Sequence, residues 1–311
     1  MSAVLRDSVI QRPRLRSAAA RWLRHLWREW TIESWRPVAP PFAKPNPDAW
    51  DDGHVTAAWL GHSTVLINFF GIKILTDPVL FPRIGIRIPL LLTIGPKRLA
   101  APALAFDELP KIGIILLSHA HFDHLDWRTL RKFDRHTKVI TAPHTRDLLN
   151  WARLRDVTEL HWGERKTVET SIGNLHVVGV PVKHWGARMQ RDLHRGYNAY
   201  LLERNNQRIL FAGDTAMTDS FGKLRAHGGI DLAIISIGAY NPWIRSHCTP
   251  EQAVEMANAA GARFIMPIHH QTFRLSAEAL CEPIERFQAA LRDQPERIAL
   301  REIGETFVLP T

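Results

Sequence analysis

Three histidines and an aspartate fall within six residues, in Ser118-His119-Ala120-His121-Phe122-Asp123-His124, directly behind the apolar run Ile112–Leu117. No other feature constrains the fold as strongly. A short apolar run bounded by polar residues reads as a strand buried on both faces. Polar and ionisable side chains crowded at the end of such a strand are costly to bury unless something satisfies them. Imidazole suits zinc and several other transition metals, and a carboxylate adds compensating charge. Residues i and i+2 of an extended segment share a face, so His119 and His121 can aim at one ion. Asp123 and His124, after the turn, can reach a second. An exposed polar loop is the competing reading, and the buried strand in front of the cluster argues against it.

Further ligands must come from elsewhere in the chain, and the candidates share one kind of position. His184 follows a strand ending at Val180-Pro181, Asp214 sits in Ala212-Gly213-Asp214-Thr215, and His269 and His270 follow a strand ending at Pro267. All stand at the C-terminal ends of expected strands, so one rim of a sandwich can gather them. The remaining pattern is mixed. Strands are expected at Val55–Leu60, Val65–Phe70, Ile72–Thr76, Lys138–Ala142, Leu175–Pro181, Asn198–Glu203, Arg208–Ala212, Leu232–Ile237, Phe264–Pro267, Ile298–Glu302 and Thr306–Leu309. Helices are expected at Trp127–Phe133, Thr145–Ala152, Pro250–Ala260 and Ala277–Ala290, the third entered through Thr249 as N-cap with Pro250 at the first helical position. Residues 78–110 read as a long proline-interrupted loop. Two halves of this kind suggest an α+β fold with two sheets face to face and helices outside.

The N-terminal region differs from the rest. The chain carries a formal net charge of +9. Residues 1–50 hold nine Lys/Arg against four Asp/Glu, so +5 of that total sits in the first sixth of the sequence. Residues 17–35 place Trp22, Leu23, Leu26, Trp27 and Trp30 at helical spacing with Arg21, Arg24 and Arg28 elsewhere on the wheel. Five prolines between Pro37 and Pro47 then forbid a helix and read as an extended strap. The expected organisation is an arm over 1–50 and a single larger domain, carrying the histidine cluster, over 51–311. The arm suits docking on the domain, contact with an anionic membrane surface, or both. Arg6, Arg12, Arg14 and Arg16 interrupt any apolar leader, and the longest apolar stretch, Ile84–Ile94, is broken by Arg87 and Pro89. A cytoplasmic protein, peripheral at the inner membrane surface, is the expectation. Cys248 and Cys281 form no CxxC pattern and are expected to be reduced thiols.

The HxHxDH motif, the later lone histidine, the Gly-Asp-Thr and the final histidine resemble the metallo-β-lactamase superfamily. Trp59-Leu60-Gly61-His62-Ser63-Thr64, Leu75-Thr76-Asp77-Pro78, Gly95-Pro96-Lys97-Arg98, His184-Trp185-Gly186, Ile237-Gly238-Ala239-Tyr240 and Ile268-His269-His270-Gln271-Thr272-Phe273 follow in order. That set is similar to the branch of N-acyl-phosphatidylethanolamine-hydrolysing phospholipases D, from about Trp50 onward. The resemblance implies a four-layer αββα sandwich and two zinc ions, with other divalent transition metals as substitutes. It implies that His119, His121 and His184 hold one ion, that Asp123, His124 and His269 hold the other, and that Asp214 bridges. It selects His269 over His270, although His270-Gln271 stands where the family has Trp-Gly. Asp77 matches an acidic residue that supports the site, and His247 matches a histidine that acts near the substrate phosphate.

Two ions sharing a water lower its pKa and neutralise charge building on a phosphoryl or carbonyl oxygen. The implied chemistry is hydrolysis of a lipid-like phosphodiester, of phospholipase D type. A lactonase or other esterase on the same scaffold is the first alternative, because one fold hosts many reactions. A nuclease or nucleic-acid-binding protein using the basic arm is the second, although no nucleic-acid-binding module is readable. Trp127, Trp151, Trp162, Trp185 and Trp243, with the apolar loop Leu80–Ile94, offer surface for an acyl chain or for a membrane interface.

Overall fold

A computed structural model of the chain describes residues 33, 35–87, 93–189 and 192–310. The amphipathic helix expected over 17–35, with Trp22, Trp27 and Trp30, falls outside them apart from Glu33 and Trp35. So do Ile88, Leu90, Leu91 and Leu92 of the apolar loop. Among the described residues no helix is long and apolar enough to cross a membrane.

Val55–Gly61 (β1), Thr64–Phe69 (β2) and Ile72–Thr76 (β3) form an antiparallel meander. The β2–β3 turn has positive φ at both Phe70 and Gly71, which is the two-residue hairpin geometry that matches strand twist. The chain then crosses to Ile114–Leu117 (β6), Lys138–Thr141 (β7) and Val157–Glu159 (β8), each parallel to the strand before it. Ile86–Arg87 (β4) and Thr93–Ile94 (β5) make a small separate ribbon in the intervening loop. Thr306–Val308 (β15) returns to β1, giving a seven-stranded sheet in the order β15-β1-β2-β3-β6-β7-β8.

The second sheet holds Arg165–Thr170 (β9), Gly173–Val180 (β10), Ala199–Arg204 (β11), Gln207–Phe211 (β12), Ile230–Ser236 (β13) and Ala262–Ile268 (β14). Its order is β14-β13-β12-β11-β10-β9, with β12, β13 and β14 parallel. Side chains alternate along β12. Ile209 and Phe211 enter a core shared with first-sheet residues such as Ile67 and Leu116, while Leu210 and Ala212 enter a core with Ala253, Met256, Ala257 and Phe287. β12 is therefore buried on both faces, toward the first sheet on one side and toward the helices Pro250–Ala259 and Glu282–Ala290 on the other. Thr249 caps the first of these helices through a reciprocal pair of bonds with Gln252, as the sequence suggests.

The strap from Val38 belongs to the same compact unit, residues 38–311. Ala39 exchanges backbone bonds with Leu99 and Ala101, and Ala43 donates to Ile303. Cys248 and Cys281 are both free.

Three expectations need correction. The last helix begins at Glu282, not Ala277. Pro283 forbids an earlier start, since its ring would collide with the carbonyl one turn before. Glu278 instead turns its carboxylate onto Ala239 N, Asn241 N and Ser276 Oγ. Residues 298–302 form no strand, only an isolated bridge from Ile298 to Ile265, because the Glu305 carboxylate pulls Arg301 N and Glu302 N into a turn. Four strands, the short β4 and β5 and the longer β8 and β9, escape the sequence reading. In β9 only Val168 is buried, so no alternation announces it.

Candidate metal centre

The strands deliver their C-terminal ends to one place. β3 leads into Asp77, β6 into Ser118, β12 through Ala212 into Gly213-Asp214, and β14 into His269. The seam between the sheets is tied there directly. Asn198 N donates to Ser118 O at 2.9 Å, and Tyr200 Oη donates to Leu117 O at 2.8 Å. Gly213 adopts a left-handed φ of +57° and packs so close that a Cβ would lie 2.6 Å from Ser118 Cβ. Only glycine permits Asp214 to approach the HxHxDH loop this way.

Asp77 is the hub of the arrangement. It is fully buried and accepts from Ser118 N at 2.7 Å, from Ser118 Oγ at 2.5 Å and from His124 Nδ1 at 2.7 Å. Since Ser118 Oγ donates to Asp77, it accepts from His119 Nδ1 at 2.8 Å. His184 Nδ1 donates to Ser246 O at 2.8 Å. In His119, His124 and His184 the proton is thus held on Nδ1 and the lone pair is on Nε2, the form that binds a metal. Arg188 braces the same loop. Its Nη1 donates to Ala120 O and Leu125 O at 2.9 and 2.8 Å, and its guanidinium lies 3.9 Å over the Phe122 ring.

Two clusters result. In the first, His119 Nε2 lies 2.8 Å from His121 Nδ1, and His184 Nε2 lies 3.3 Å from the same atom. In the second, Asp123 Oδ2 lies 3.6 Å from His124 Nε2 and 3.5 Å from His269 Nε2. Asp214 Oδ2 stands between them, 3.1 Å from His124 Nε2, 3.2 Å from His269 Nε2 and 4.0 Å from His184 Nε2. Ligands about 2.0–2.2 Å from a common zinc sit roughly 3–3.6 Å from one another, so these separations suit a shared ion. The buried His124 Nε2 and His269 Nε2 make no hydrogen bond to protein, which is costly for polar atoms and is relieved when a cation supplies the partner. The donor set is nitrogen and carboxylate oxygen, with no cysteine among the candidate ligands.

The electrostatics agree. Burial holds His119 and His184 well below the usual imidazole range, so both offer lone pairs near neutral pH. Burial alone would raise Asp214, yet His124, His269 and His247 beside it hold its carboxyl well below the usual range. Burial alone would lower His269, but Asp214 and Asp123 push it up to about 9. Protons drawn to these imidazoles by the carboxylates mark where a divalent cation gains most, and binding one would release them.

All the residues expected from sequence meet here. His247, nine-tenths buried, has Nδ1 3.9 Å from Asp214 Oδ2 and no hydrogen-bond partner for that atom. His270 does not join. Its ring lies 4.5 Å from Trp59, away from both clusters, so it fills the place of an apolar aromatic residue. His269→Ala should therefore lose about one metal equivalent by elemental analysis, while His270→Phe keeps the wild-type content. The opposite pattern would exchange their roles. The sequence reading gave no role to His62, Ser118 or Arg188.

The resemblance is matched by comparison with known proteins. A domain model described as the beta-lactamase superfamily domain matches residues 73–270. An uncharacterized protein of Mycobacterium tuberculosis is 34% identical over 275 residues, covering 85% of this chain and 71% of that one. The N-acyl-phosphatidylethanolamine-hydrolyzing phospholipase D 1 of Caenorhabditis elegans is 32% identical over 257 residues, covering 76% of this chain and 71% of that one. Among solved structures, a metallo hydrolase from the archaeon Ignicoccus hospitalis superposes with a TM-score of 0.61 at 18% identity, over 83% of this chain and 99% of that one.

Proposed function

Because the chain belongs to the metallo-β-lactamase superfamily, on the branch it shares with N-acyl-phosphatidylethanolamine-hydrolysing phospholipases D, and is a metal-dependent hydrolase, we propose that it uses two zinc ions to cleave a lipid phosphodiester. The observation that carries this reading is the single oxygen, Asp214 Oδ2, that faces both ligand clusters from one point. A pair of ions held there would acidify a water and neutralise charge on a phosphoryl oxygen. The protein's own groups do the rest. His119, His121 and His184 hold one side, and Asp123, His124 and His269 hold the other. Asp77 and Ser118 keep the imidazole protons on the far nitrogens. His247, whose Nδ1 has no hydrogen-bond partner, would meet a phosphate oxygen.

The surroundings favour an amphiphilic substrate. Trp185 lies 4.7 Å edge-on to His121 and is 38% exposed. Leu193, on the same loop, is exposed, as are Trp243 and Ile244 on the loop that leads to His247. Large apolar side chains in water beside a polar centre mark an interaction surface. In the loop Leu80–Ile94, Ile84 is buried against Val79 and Phe273 and Phe81 lies under Arg128, while Ile86 is exposed.

The test uses the purified full chain loaded with zinc. It should hold two equivalents and convert N-acyl-phosphatidylethanolamine in mixed micelles to phosphatidic acid. Chelation should abolish that turnover and added zinc restore it. Turnover of simple lactones with none of the lipid diester would replace this reading by a lactonase. Metal-independent turnover would remove it.

A further inference from the structure

His62 belongs to the turn between β1 and β2, far in sequence from every ligand, yet it contacts the second cluster twice. Its Nε2 lies 3.0 Å from Asp123 Oδ2. Its backbone carbonyl accepts from His269 N at 3.0 Å and from Trp59 Nε1 at 2.7 Å. The clasp is closed from the other side by Thr272 Oγ1, which accepts from His62 N at 2.7 Å. The ring is buried, 4.1 Å from the His269 ring and 5.1 Å from Phe273. His62 and His269 both hold left-handed φ values, +55° and +65°. Two non-glycine residues in that region are unfavourable and persist only where their surroundings require them.

Two roles are open to such a histidine: ligand, or donor to a ligand. The distances separate them. Asp214 Oδ2 lies within 4.0 Å of ring nitrogens of His124, His184, His247 and His269, and among the described residues His62 is not in that ring. His62 stands close to Asp123, His124 and His269, but its Nε2 is already engaged at hydrogen-bond distance by Asp123 Oδ2. A neutral imidazole there donates Nε2–H to Asp123 Oδ2 and so fixes the rotation of the carboxylate.

We infer that His62 is a positioning residue for the second ion, holding Asp123 through its ring and His269 through its carbonyl. This rests on the two-ion reading above. A donor behind a ligand typically changes metal affinity by about 10–100-fold when removed. The experiment compares His62→Gln with His62→Asn in the full chain. The glutamine amide reaches the depth of Nε2, while the asparagine amide stops at the depth of Nδ1. Zinc is titrated against a chromophoric chelator, and cobalt spectra report the coordination of each ion. The asparagine variant should bind its second ion about 10–100-fold more weakly, with the first unchanged. The glutamine variant should stay within a few-fold of wild type at both. Equal second-ion affinity in the two variants, whether both near wild type or both weakened, would overturn the inference. A wild-type chain that takes up only one ion would instead refute the two-ion reading, and that result is seen before any variant is made.

Discussion

Asp214→Ala should lower turnover by about three orders of magnitude or more, equivalent to about 4 kcal/mol of lost barrier reduction, with the circular dichroism of the folded chain retained. The carboxylate is buried, and one of its oxygens faces four imidazoles, those of His124, His269, His247 and His184. Its loss removes the carboxylate oxygen that, among the described residues, faces both clusters, so a pair of ions held there would lose a common ligand and a shared water would lose its acidity. It also removes the charge that draws protons, and hence cations, to His124 and His269. Asp214→Asn separates the two effects, since it keeps the shape and drops the charge. Both variants should show depleted metal by elemental analysis. Wild-type turnover by either would take Asp214 out of the reaction.

Asp77→Ala should be the more damaging change to the molecule as a whole, because it breaks a buried network from its centre. Three donors lose their acceptor: Ser118 N, Ser118 Oγ and His124 Nδ1. Each buried donor left unsatisfied costs about 1–3 kcal/mol. The expected destabilisation is about 3–5 kcal/mol by denaturant titration in excess chelator, the range for breaking a buried charged network. Metal binding should weaken at both positions together. His124 serves the second cluster directly, and His119 serves the first through Ser118 Oγ. Asp77→Asn, which retains one carbonyl acceptor, should fall between. A variant of wild-type stability, or one that weakens a single position only, would show that the hub does not couple the two.

Much of this was readable in advance, for physical reasons that differ from part to part. β6 was legible because a strand covered on both faces must be apolar throughout. The ligands at strand ends were legible because strand ends are where buried backbone gives way to side-chain chemistry. β9 was not, because a strand exposed along most of its length needs no apolar pattern. The start of the final helix was misjudged because Glu278 is a good helix former in isolation, and here its carboxylate is committed to a distant loop. His62 was passed over because its value depends on Asp123, distant in sequence, and on His269, which approaches it only when the two sheets meet. His269 and His270 are adjacent and chemically identical. Only the left-handed turn at His269 decides which ring enters the site and which packs on Trp59.

The seam between the sheets has a mechanical consequence. His119, His121, Asp123 and His124 extend from the seven-stranded sheet, while His184, Asp214 and His269 extend from the six-stranded one. Any ion shared by these side chains is a rivet through both plates, set at one end of the sandwich. Its grip adds to folding by mass action, about 2.7 kcal/mol when free metal is a hundred times its dissociation constant. The rivet fastens only the catalytic rim, so stripping the metal should release that rim first, along the line where Asn198 meets Ser118, while the β15–β1 edge stays closed. The end of the molecule that performs the chemistry is then also the end whose cohesion follows metal supply.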